Sequence, residues 1–144
     1  MPAYTEEFSE VHEKLATLYP IAKAGVISTP WVSMATYHRA FVEILTGNMV
    51  NPLDVAIWQA TDVAGTGAKF VTGKAITQLN GGDDSNAVGI ELRTEELDVD
   101  GGFDFIRVQT TNGGAGGNVY SVVVYGIVGR YLPVGITEWD EIVH

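Results

Sequence analysis

The feature that most limits the fold of this chain is the recurrence of short runs alternating apolar with polar residues, each closed by a Gly, Asn or Asp cluster. Side chains two apart on a strand share a face, so each such run is a strand with one face toward a core. Between Trp31 and Leu45 lie one or two strands. There His38, Ala40, Val42 and Ile44 form the more apolar set, against Tyr37, Arg39, Phe41, Glu43 and Leu45. Val55, Ile57 and Gln59 alternate with Ala56, Trp58 and Ala60. Lys69 to Leu79 is β-rich, with Gly73 as a bulge or bend. Val88, Ile90 and Leu92 alternate with Gly89, Glu91 and Arg93, and Phe103 to Thr110 alternates again. Val119 to Val128 is continuously apolar and reads as a strand buried on both faces. Thr46-Gly47-Asn48, Ala64 to Gly67, Asn80 to Asn86, Asp100 to Gly102 and Asn112 to Asn118 supply the breaks. About seven or eight strands at such spacing predict an all-β sandwich, with a jelly-roll-like arrangement as the first choice.

The N-terminal stretch reads differently. Phe8, Val11, Leu15 and Leu18 share one face of a helix expected over residues 5–19. Thr5 is its N-cap, Glu6 and Glu7 suit its positive end, and Pro20 stops it. The chain therefore divides into a helix or arm at 1–20 and a sandwich with a C-terminal tail at 21–144. In that tail Pro133 and Gly135 break regularity. Thr137 is placed to cap a short turn, and Trp139, Ile142 and Val143 are apolar anchors among acidic neighbours.

Charge narrows the partners. Eighteen acidic residues stand against eight basic ones, for a net charge of −10. The basic residues are scattered, without the clustered stripe that phosphate backbones require, so nucleic acid is excluded as an expected partner. Glu6, Glu7, Glu10 and Glu13 oppose a signal-peptide reading, and no apolar run has the length of a membrane span. With no cysteine, thiol catalysis, disulfides and Cys-based zinc sites are ruled out.

Each candidate for chemistry lacks part of its pattern. His12, His38 and His144 have no metal-ligand spacing, and His38 is expected to pack or lie at an interface. Glu91, Glu95, Glu96, Asp98 and Asp100 form the densest acidic cluster. As a hydrolase pair they would need one buried member with a raised pKa. Asp83 to Asn86 lacks the calcium-loop spacing. Gly65 to Lys69 and Gly113 to Gly117 precede no helix, so they read as hairpin loops rather than phosphate cradles. No cofactor and no metal site is expected, and the chain is not expected to be an enzyme. The residues best placed to meet other proteins are Phe8, Val11, Leu15, Trp31, Trp58, Trp139 and Ile142. Trp31 or Trp58 would alternatively serve a jelly-roll carbohydrate-binding module.

Pro30-Trp31-Val32-Ser33-Met34 leads into the Tyr37-to-Leu45 strand. Ile57 to Asp62, Gly73 to Leu79, Ile90 to Asp98 and Phe103 to Arg107 then follow. Over roughly residues 28–110 this strand order resembles small structural proteins of tailed phages, in particular capsid decoration, or cement, proteins. The resemblance implies a protein made in the host cytoplasm that ends on the exterior of the virion capsid. It implies the major capsid protein as partner and a homotrimeric state, with no catalytic residues transferred. A head–tail connector or tail component is the alternative within the same class.

Overall fold

The computed structural model describes residues 7–129 and 138–143. Thr5, Glu6, Pro133, Gly135, Thr137 and His144, which carried expectations above, lie outside the described residues. A helix α1 (Phe8–Val11) precedes nine strands: β1 (His12–Lys23), β2 (Gly25–Ser28), β3 (Val32–Ser33), β4 (Tyr37–Thr46), β5 (Leu53–Ala60), β6 (Lys69–Ala75), β7 (Ala87–Arg93), β8 (Phe105–Asn112) and β9 (Asn118–Gly129). One sheet has the order β1-β9-β4-β7. The other has the order β2-β8-β5-β6, with β3 also paired to β8.

The pairings are nested. β1 pairs with β9, β2 and β3 with β8, β4 with β7 and β5 with β6, all antiparallel. The chain is thus one long antiparallel ribbon that turns back at the β5–β6 hairpin. Rolling the ribbon brings β4 against β9 and β5 against β8. That arrangement is a jelly roll, and the all-β fold expected from the alternation is the fold observed.

The N-terminal helix is much shorter than expected. It ends at Val11, and His12 is already extended at φ −123° and ψ 130°. Leu15 and Leu18 lie on β1, not on a helix face. The reason is visible in the β1–β9 register, which shifts between Lys14 and Ala16 and again between Leu18 and Ile21. The first bulge adds a residue at Leu15, so Leu15 and Leu18 fall three apart in sequence on a strand, while the step of four from Val11 to Leu15 is shared by helix and strand periods. Pro20 sits in the second irregularity, on an edge strand, where it has no ladder hydrogen bond to lose.

Inward side chains of the first sheet (Val42, Ile44, Leu92, Val122 and Val124) meet Leu53, Val55, Ile57, Ile106 and Val108 of the second in one core. Truncating one of these, as in Ile57→Ala, is expected to cost about 2–5 kcal/mol. β9 departs from the two-faced burial expected of it. Tyr120, Val122 and Val124 are buried, whereas Val119, Ser121, Val123, Tyr125 and Ile127 on the other face are only half-buried. His38 is exposed rather than packed with Ala40 and Val42. The Gly113-to-Gly117 loop is not a hairpin, because it carries the chain from β8 in one sheet to β9 in the other.

A polar network closes one end of the interior. The Tyr120 hydroxyl lies 2.7 Å from Thr110 Oγ1 and accepts from Asn112 Nδ2 at 3.0 Å. Asn118 Nδ2 donates to Asn112 Oδ1 at 3.1 Å, and Asn118 Oδ1 accepts the Val50 and Asn51 N–H groups at 2.9 Å each. These bonds tie β8 and β9 to the loop after β4, and they satisfy groups that would be costly to bury alone. Nearby, the buried Lys23 ammonium donates to the carbonyls of Tyr19, Ile21 and Tyr120, the last at 2.6 Å. It thereby pins the irregular end of β1 to β9. Burial lowers the Lys23 pKa below the ordinary lysine value.

Candidate interaction surfaces

The structure sorts the seven expected interface residues into three groups. Phe8, Trp139 and Ile142 come together. With Val143 they line an open hollow of about 430 Å³, rimmed by Glu7 and Glu141. Phe8 is 57% exposed, although its ring meets those of His12 and Tyr125 edge-on at 4.6 and 6.0 Å. The Lys14 ammonium lies 4.2 Å from the centre of the Trp139 ring, a cation–π contact that holds the 138–143 segment against β1. The Trp139 Nε1 proton is buried without a hydrogen-bond partner among the described residues. Glu138 faces Glu13. Burial first, and that second carboxylate next, push the Glu13 pKa up.

Val11 and Leu15 form the second group. Val11 is 4% exposed, and the half-buried Leu15 packs against the core from β1, so both help to hold the fold.

Trp31 and Trp58 form the third, on the outer face of the second sheet. Trp58 on β5 stands opposite Arg107 on β8, and the Arg107 guanidinium lies over the Trp31 ring at 4.6 Å. Phe70 on β6 meets Trp58 edge-on at 6.4 Å and is 41% exposed. Arg107 Nη2 donates to Gln109 at 3.1 Å. Gly65 makes the arrangement possible, since a Cβ there would lie 2.5 Å from Trp31 Nε1. Both tryptophans are half-buried. A patch of Trp and Arg side chains with a flanking Phe has the composition that concentrates binding energy at protein interfaces. It suits a sugar platform less well, because Arg107 occupies a face of Trp31. Phe70 and Arg107 escaped the sequence reading. Their only signal was the strand register, which sets β6 and β8 beside β5.

The acidic stretch after β7 behaves as structure. Glu96 accepts the Arg93 N–H at 2.9 Å and pairs with Lys74 at 3.0 Å, and both contacts lower its pKa. The Lys69 ammonium at 2.6 Å and the Gly101 N–H hold the Asp98 carboxyl below its ordinary value. A general acid would need a shift in the other direction. Among the described residues, no three His, Asp or Glu side chains converge on a point that would hold a metal ion.

No protein-family model matches the chain, and no curated protein matches it. Among solved structures the chain is similar to the SPBc2 prophage-derived protein YomS, at 10% identity over 79% of this chain and 95% of that one, with a TM-score of 0.46. It is also similar to a chain of Broad Bean Stain Virus, at 7% identity over 94% and 97% of the two chains, with a TM-score of 0.43. For the Tobacco streak virus coat protein the values are 6%, 96%, 99% and 0.39. Likenesses at these identities and TM-scores carry no function across.

Proposed function

We propose that this chain is a non-enzymatic structural protein of a phage virion. It decorates the capsid exterior as a homotrimer and stabilises the shell by binding the major capsid protein. The observation that carries the reading is the surface built by α1 and the 138–143 segment. There Phe8, Trp139, Ile142 and Val143 stay close together and partly open to solvent in a chain of net charge −10. Apolar groups gathered at one place on an acidic molecule are what a protein partner covers. The Trp31–Arg107–Trp58–Phe70 patch offers a second contact on the opposite sheet. With two faces the protein can bridge neighbouring subunits, and many copies on a lattice add avidity. The resemblance of residues 28–110 to decoration proteins directs the reading to the capsid.

Mixing the purified chain with expanded, undecorated capsids of the phage that encodes it tests the proposal. Binding near saturation, weakened at least tenfold by Phe8→Ser with Trp139→Ser, is expected. A chain that neither binds capsids nor oligomerises in solution contradicts the proposal. A chain that binds only purified neck or tail assemblies belongs to the connector alternative.

A further inference from the structure

Five strands edge the two sheets, and four of them are poor templates for a further strand. β1 carries Pro20 and two register shifts. β2 and β3 are four and two residues long. β6 is broken by a register shift and by Gly73 at φ +78°. β7 differs: seven residues, Ala87–Arg93, pair with β4 in unbroken register and contain no proline. Among the described residues no strand pairs with its other side. Proteins ordinarily blunt such an edge, because its N–H and C=O groups accept any extended chain.

Space and charge beside β7 select what is accepted. Two open hollows of about 660 and 570 Å³ run along it and share Lys74 and Glu91. Arg39, Lys74 and Arg93 line the larger one together with Glu91, Glu95 and Glu96, so what matters is which of these cations is left without a carboxylate. Arg39 and Arg93 are directly opposed across β4 and β7, where like charges destabilise. Glu96 engages Lys74, and Glu95 meets Arg93 at 3.3 Å with both side chains at least two-thirds exposed. Among the described residues no carboxylate lies within ion-pairing distance of Arg39. A carboxylate on a strand added beside β7 would stand next to Arg93 and relieve this pair.

We propose that the free edge of β7 is a strand-addition site for an extended, carboxylate-bearing segment of a partner protein. It deepens the proposed capsid-binding function by naming the mode of attachment, and it rests on that function only for the partner's identity. Backbone ladder bonds would supply affinity, and the opposed Arg39–Arg93 pair, in which Arg39 has no carboxylate within ion-pairing distance among the described residues, would supply the preference for acidic side chains.

The probe is a blocked eight-residue peptide alternating Val and Glu, with a Val/Lys peptide as control, titrated into the whole protein and followed by backbone amide NMR. Shifts and slowed hydrogen exchange confined to Ala87–Arg93 and Gly73–Thr77 are expected, with at least tenfold preference for the Glu peptide. Arg93→Glu, on an exposed side chain, should erase that preference. Val88→Lys, an inward charge at the edge, should abolish binding while leaving core signals in place. No binding, equal binding of both peptides, or shifts centred on β1 would overturn the proposal. So would β7 shifts that grow with protein concentration alone, since they would assign the edge to a second copy. Capsid binding without peptide binding removes this inference and leaves the function standing, whereas the reverse outcome removes only the capsid.

Discussion

β1 and β7 are the two edges of the same sheet, and they treat the chain beside them in opposite ways. β1 is the longer, with twelve residues against seven, yet it is the less receptive. Its ladder slips twice, Pro20 removes a donor, Lys23 locks one end, and α1 and Trp139 lie against the other. β7 has an unbroken ladder and no proline, and of its backbone donors only the Arg93 N–H at its end is shown taken by a side chain, that of Glu96. Length therefore does not decide whether an edge invites a partner; the regularity of the backbone does.

Breaking the lock on β1 should have the largest effect. Lys23→Met leaves three carbonyls, that of Tyr120 buried, without their charged donor, and urea denaturation should show a loss of about 2–3 kcal/mol. The pH dependence adds a sign. The folded-state pKa of Lys23 lies below the unfolded value, so native stability rises with pH across the interval between them, just under the ordinary lysine value. Lys23→Met should lack that alkaline gain. An unchanged midpoint would mean that β1 is held by its ladder alone.

The same lever applied to β7 should cost less. Val88→Lys replaces a half-buried side chain whose substitute can reach water, and a loss of about 1–2 kcal/mol is expected by the same denaturation. A larger loss would show that β7 belongs to the core rather than to an accessible edge. Pro20→Val tests the contrast from the other side. Stability should change by less than about 1 kcal/mol, while light scattering should report new concentration-dependent association through β1. A variant as monodisperse as the parent would show that the bulges alone protect that edge.

The smallest effect concerns Glu13. Its folded pKa is raised, chiefly by burial and then by Glu138, so it costs stability once pH climbs through that raised value. Glu13 is only half-buried, so solvent screens part of this effect. Glu13→Gln should therefore gain less than about 1 kcal/mol near neutral pH and nothing in acid.

The same contrast explains what could be read from the amino acids. β4, β7 and β8 announce themselves because their registers are unbroken, so Val42, Ile44, Ile90, Leu92, Ile106 and Val108 fall at even spacing. β1 was disguised as a helix by its first bulge, between Lys14 and Ala16, which puts Leu15 and Leu18 three apart and so at helical steps from Val11. β2 is too short to show a period. Among the surfaces, Phe8, Trp139 and Ile142 stood out as apolar residues in acidic surroundings, and the structure gathers them. Arg107 and Phe70 could not be joined to Trp31 and Trp58 without knowing that β8 and β6 flank β5.

The central claim is that this jelly roll binds the outside of a capsid. A cryo-EM reconstruction of expanded capsids incubated with the purified chain tests it most directly. The account predicts added density in groups of three on the outer surface, seated where neighbouring capsid subunits meet, and lost when Phe8 and Trp139 are both replaced by Ser. A bare capsid surface at saturating protein, or density confined to the tail vertex, would contradict it.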